Sequence, residues 1–164
     1  MEIARLLKHV LIPHRVALRT FPAAALSRIE KAINASERQH RGELRFAVEA
    51  GLPLQFLRMS TRKRAEALFA RLGVWDTAEN SGVLIYVQLV DRRIEIVADR
   101  GIAAKVDQAE WNAVCRAMEK HFARRRFLEG ALEAIETVTR ILARHFPPRG
   151  PNPNELPDKP VVLP

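Results

Sequence analysis

Asp76, Glu79, Asn80 and Asp99 carry oxygen-bearing side chains close to the ends of strand-like segments, and they are the residues whose types suit chemistry. Carboxylates and an amide gathered by folding form the flexible oxygen shell that Ca2+ accepts, with Mg2+ as the alternative. Asp76 and Asp99 are the principal candidate ligands, and Glu79 and Asn80 are supporting donors. Asp91 is a further acid, but its Asp91-Arg92-Arg93 setting also suits turn hydrogen bonds and pairing with the adjacent arginines. Trp75 can wall a ligand or anchor the loop, and Arg100 can meet an anion or face solvent. Structural capping and surface charge compete with metal binding for this acidic set, and sequence spacing does not choose between them.

Other chemistries lack their residues. The chain has no Gly-rich nucleotide loop, no Cys-x5-Arg phosphatase loop and no HExxH zinc motif, and no organic cofactor is expected. Cys115 stands alone, so there is no disulfide framework, and it is expected to pack inside a helix. His9, His14, His40, His121 and His145 are scattered without ligand spacing. The Arg124-Arg125-Arg126 run lacks interleaved aromatics for base stacking, so nucleic acid is not an expected partner.

The elements that must position these residues follow from periodicity. Pro22 suits the first turn of a helix whose apolar side runs through Leu26, Ile29 and Ile33 toward His40. A strand is expected over Glu43–Ala50 and a helix from Ser60 or Thr61, with Ala65, Leu68, Phe69 and Leu72 on one side. Val83–Val90 reads as a central strand covered on both faces, joined across Asp91-Arg92 to an alternating strand over Arg93–Ala98 as an antiparallel hairpin. Asn80-Ser81-Gly82 permits a tight approach into Val83, and Gly73 and Gly101 serve related turns. Asp107 caps a helix through Trp111, Val114, Cys115 and Met118, and a last helix runs over about Leu128–His145 before Pro147 and Pro148. The order helix, strand, helix, strand, strand, helix, helix predicts an α/β or α+β fold, a mixed sheet packed by helices.

With 164 residues, 48% of them hydrophobic, the chain is sized for one domain. Three stretches are expected: a basic amphipathic segment over 1–19, a domain over 20–146, and a proline-rich flexible or extended tail over 147–164. In the first, Ile3, Leu6, Leu7, Val10 and Leu11 make an apolar face beside Arg5, Lys8, Arg15 and Arg19. That face either packs over the domain or lies on an anionic membrane through residues 1–20, in keeping with the net charge of +8. No stretch approaches the roughly 20 apolar residues of a membrane span. The opening segment lacks a secretory cleavage pattern, so the expected location is cytoplasmic, with the inner face of the membrane as a peripheral site.

Three segments together, GELRFAVE, LFARLGVWDTAENSGVLIYVQLVDRRIEIVADRG and AEWNAVCRAMEKHFARRRFLEGALEAI, resemble the TPM domain family of thylakoid lumen, photosystem repair and nicotinic-receptor modulator proteins. The resemblance covers about residues 20–146 and implies a TPM-like sandwich. Asp76 and Asn80 match its polar loop positions, Gly82 and Asp91 its common glycine and hairpin acid, and Gly101 a recurrent glycine. Trp75 and Ala78 stand where glycine is frequent, Ser81 replaces a common asparagine, and Ala98-Asp99-Arg100-Gly101 replaces a GYG-type ending. The resemblance implies a binding or regulatory domain that takes a divalent cation and an unidentified protein or small-ligand partner. The alternative it carries is a metal-dependent phosphatase acting on a small phosphorylated substrate.

Overall fold

The computed structural model describes residues 3–164, with side chains from Leu7 onward. Met1, Glu2 and the side chains of Ile3, Arg5 and Leu6, which the expected amphipathic face includes, lie outside the described residues. The elements are α1 (Ile3–Leu11), α2 (Arg15–Thr20), α3 (Ala23–Glu37), β1 (Glu43–Glu49), a 3-10 turn (Leu54–Phe56), α4 (Thr61–Arg71), β2 (Gly82–Gln88), β3 (Arg93–Ala98), α5 (Arg100–Ala103), α6 (Gln108–Ala123), α7 (Phe127–His145) and β4 (Val161–Leu163).

The sheet runs β3-β2-β1-β4, with β2 antiparallel to β3 and β1 parallel to both β2 and β4. β1 and β2 are parallel because the connection between them is long enough to cross over and carries α4. β2 is hydrogen-bonded on both sides and covered on both faces, which explains its unbroken apolar run. Leu44, Phe46, Ile85 and Ile96 face one core with Ile29, Trp111 and Val138 from the long helices. Ala47, Leu84, Tyr86 and Val97 face the other, closed by Ala65 and Leu68 of α4. Ser60 accepts from the Lys63 amide and Asp107 from the Ala109 amide, capping α4 and α6 where the sequence places them. Cys115 is buried, and burial pushes its thiol up to about 12.

The C-terminal region differs from expectation. The flexible tail expected over 147–164 instead closes an edge of the sheet: Val161–Leu163 pairs with β1, and Leu156 and Leu163 are buried. Proline removes a donor only at its own position, so a proline-free triplet after Pro160 can still pair along one side. The tail is also tied down by side chains. Asn152 donates to the Glu37 and His40 carbonyls, Arg45 to the Pro157 carbonyl, and the Leu156 amide to Glu43 at 3.0 Å. At the other terminus, α1 turns His9 inward and leaves Leu7, Val10 and Leu11 exposed, so the described part of its apolar stripe does not pack on the domain.

Under the tail, burial pushes the Glu37 carboxyl up to about 9 despite the Leu44 amide it accepts, and Glu43 and Asp158 add to the rise. The folded state therefore holds a proton that the unfolded chain, with an ordinary value of 4.5, releases. That contribution to stability is complete below about 4.5 and is lost as pH rises through about 9. Burial lowers His40 to about 4 from an ordinary 6.5, so its contribution is lost only as pH falls through that lower window. The urea midpoint is expected to fall between neutral pH and pH ~9, and Glu37→Gln to flatten the decline. An equally steep fall in Glu37→Gln would remove Glu37 from the account.

Candidate functional site

The candidate site is the end of the sheet where β2 begins and β3 finishes. Val83 lies opposite Ala98, and the Asp99 amide continues the pairing by donating to the Gly82 carbonyl at 2.9 Å. The 72–81 segment folds over this end. Gly73 has φ +67°, Trp75 is half-exposed with its indole N–H donating to the Ala70 carbonyl at 3.2 Å, and Asn80 has φ 52°. Left-handed backbone suits asparagine better than most residues. Thr77 accepts from the Ser81 amide at 2.8 Å, and the Ser81 carbonyl accepts from Glu43 at the start of β1.

Two close approaches hold the segment in place. A Cβ on Gly82 would overlap the Val74 carbonyl oxygen, and one on Gly101 would lie 2.5 and 2.6 Å from the Glu79 and Asn80 carbonyl oxygens. Gly101 donates its amide to the Asn80 carbonyl at 3.0 Å. The loop and the chain leaving β3 are therefore in backbone contact, which no larger residue permits at these two positions.

Asp99 caps α5, a short helix not expected from sequence. Its Oδ1 accepts from the Arg100 amide at 2.7 Å, while its Oδ2 is buried and has no hydrogen-bond partner among the described residues. A buried carboxylate oxygen left unsatisfied is costly, and this arrangement suits a group that supplies positive charge. Asn80 Oδ1 accepts from Arg100 Nε at 3.1 Å, which holds Arg100 over the loop. Glu79 pairs with Arg41, and Asp76 is exposed with its amide donating to Gly73. From the tail, Glu155 Oε2 accepts the Ala78 amide at 2.8 Å.

Glu79, Asn80, Gly82, Asp99, Arg100 and Gly101 thus meet at one end of the sheet, with Trp75 and Asp76 in the same folded segment. Asp91 does not join them. It lies beyond the opposite end of the six-residue β3, about 20 Å away at strand rise, and accepts from His9 Nε2 at 3.1 Å. Sequence reading missed Arg41 and Glu155, which engage the loop from distant positions with no local signal to mark them. Among the described residues no group of three or more His, Cys, Asp or Glu side chains is placed to hold a metal ion. A cation here would take its remaining donors from backbone carbonyls, amide oxygen and solvent, which suits a hard ion such as Ca2+ or Mg2+ and not a thiolate- or imidazole-seeking one.

The fold has known counterparts. The BA42 protein of the psychrophilic bacterium Bizionia argentinensis, solved by NMR, superposes with a TM-score of 0.77 at 28% identity, covering 86% of this chain and 94% of that one. The N-terminal domain of a P. gingivalis protein superposes with a TM-score of 0.59 at 17% identity, covering 82% of this chain and 90% of that one, a likeness of fold alone. Curated proteins give no sequence match. The sequence profile of the TPM domain matches residues 18–141, the span that runs from α2 through most of α7 and contains the hairpin and its loop. The chain belongs to the TPM domain family.

Proposed function

We propose that this TPM domain is a binding or regulatory module that holds a divalent cation, calcium in preference to magnesium, between Asp99 and the 76–82 loop. The observation that carries the reading is the buried, unpartnered Asp99 Oδ2 at the strand end. The oxygen-rich loop beside it supports the same chemistry: Asp76 is exposed, and Glu79, Asn80 and Glu155 are held near the turn by their own hydrogen bonds. A bound cation would supply the charge that Asp99 Oδ2 lacks. The chain's own residues position the donors, with Gly82 and Gly101 allowing the loop to approach and Asn80 fixing Arg100 to one side.

Thermal unfolding of metal-free protein tests the reading. Calcium at about a hundred times its Kd is worth about 2.7 kcal/mol, which raises Tm by about 5–10 °C in a chain of this size. Asp99→Asn is expected to abolish the rise while keeping the helix cap, because asparagine caps as well as aspartate. An identical rise in Asp99→Asn would contradict the assignment. Phosphate release from p-nitrophenyl phosphate that requires both metal and Asp99 would move the reading to the alternative, a metal-dependent phosphatase of small phosphorylated substrates.

A further inference from the structure

The end of the sheet opposite Asp99 has a different character. Here α1 and α2 lie across the β2–β3 turn and the chain leaving β1: His9 Nδ1 accepts the Leu52 amide at 2.9 Å, and Nε2 donates to Asp91. His9 is 4% exposed, and with that side of α1 turned inward the other side presents Leu7, Val10 and Leu11 at 51, 57 and 72% exposure. An amphipathic helix ordinarily buries its apolar stripe against the domain. The described part of this stripe points outward, and Leu18 of α2 adds a further exposed apolar side chain at 45%.

Beside these helices is a groove of about 570 Å3. Val16, Leu89, Ile94, Phe122 and Phe127 give it apolar walls, and Arg92, Arg93 and Arg125 line it with positive charge. Glu119 is the acid in the lining, and its carboxylate accepts the Ile94 amide. Arg92 and Arg125 occupy left-handed backbone, φ 53° and 59°, where glycine or asparagine is the ordinary residue. Lys8, Arg15 and Arg19 are exposed on the two helices.

We infer that this end of the domain docks peripherally on an anionic lipid bilayer, its exposed leucines and Val10 entering the interface while the arginines meet lipid phosphates. The charge selects the occupant. A second copy seated here through a twofold contact would set the same arginines against each other in a chain of net charge +8, whereas an anionic bilayer complements both the apolar stripe and the cations. No described helix is long and apolar enough to cross a membrane, so the contact is interfacial. Docking this way holds the Asp99 end away from the bilayer, and the inference does not depend on a cation being bound there.

Flotation of the full chain with vesicles tests it, comparing equimolar phosphatidylglycerol and phosphatidylcholine with phosphatidylcholine alone. Binding is expected to the anionic vesicles and to weaken with salt. Arg92→Asn, Arg93→Gln and Arg125→Asn together are expected to cut partitioning about a hundredfold, from the usual gain per basic residue at such a surface. Val10→Asp with Leu11→Asp, both at exposed sites, is expected to cut it at least about tenfold with an unchanged urea midpoint. Failure to float with anionic vesicles at low salt would overturn the inference, as would equal flotation with neutral vesicles or insensitivity to both variants. A concentration-dependent dimer that Val10→Asp with Leu11→Asp dissolves, without flotation, would assign the face to a second copy and also overturn it.

Discussion

Replacing Arg64 with alanine is expected to destabilise the domain by about 3–5 kcal/mol, the usual cost of stranding one partner of a buried ion pair. Arg64 and Glu49 have side chains 4% and 1% exposed. The guanidinium donates through Nε and a terminal nitrogen to both carboxylate oxygens, at 3.0 and 2.6 Å, and lies over the Phe56 ring at 4.1 Å. Tyr86 donates its hydroxyl to the same carboxylate at 2.5 Å. Burial acts to lower the Arg64 pKa, but the hydrogen bonds and charge of Glu49 outweigh it and the net shift is upward. Burial, followed by the Glu49 charge, raises that of Tyr86. The cluster pins α4 to the centre of the sheet, and without Arg64 the Glu49 carboxylate would keep, among the described residues, only the tyrosine. Arg140, exposed and paired with Glu136 one turn away, provides the contrast: Arg140→Ala is expected to cost less than about 1 kcal/mol. Urea unfolding separates the two, and equal effects would refute the buried-pair account.

Gly82→Ala is the second large effect. The added methyl would overlap the Val74 carbonyl oxygen, and because backbone lies on both sides of the contact no side-chain rotation relieves it. A loss of about 3 kcal/mol or more is expected, at the upper end of overpacking costs. Val74 leads directly into the loop, so the calcium-induced rise in Tm is expected to diminish as well. Gly73→Ala is the control. With φ +67° but nothing within 4 Å of the added Cβ, it carries backbone strain alone, about 1–2 kcal/mol. If urea unfolding placed Gly82→Ala no lower than Gly73→Ala, the close approach of loop and strand would not be a constraint on this fold.

The central architecture was legible because its signals are local and periodic. The apolar run of β2, the alternation in β3, and the capping residues Ser60 and Asp107 each indicate their own element. What escaped depends on partners remote in sequence. Val161–Leu163 is too short to show a period, and only its pairing with β1 makes it a strand. The amphipathic pattern of α1 identifies an apolar side but not which side meets the domain; the His9 bonds to Asp91 and Leu52 decide that. Glu49, Arg64 and Tyr86 read separately as ordinary strand and helix residues, and only the fold assembles them. At the candidate site, Asp76 and Asp99 stand out in the sequence by their positions near strand ends, with Asn80 and Glu79 as supporting oxygen donors. The engagements of Asp99, Asn80 and Glu79 with the Arg100 amide, the Arg100 guanidinium and Arg41 were not legible there, nor was the cap that Glu155 brings from the tail.

The most direct test of the cation-binding account is calorimetric titration of metal-free protein with calcium, with magnesium in comparison, on the parent chain and on Asp99→Asn, Asp76→Asn and Asp91→Asn. Saturable calcium binding is expected, removed by Asp99→Asn, weakened by Asp76→Asn and left unchanged by Asp91→Asn at the far end of the hairpin. Absence of saturable binding at low salt, or equal weakening by Asp91→Asn and Asp99→Asn, would contradict it.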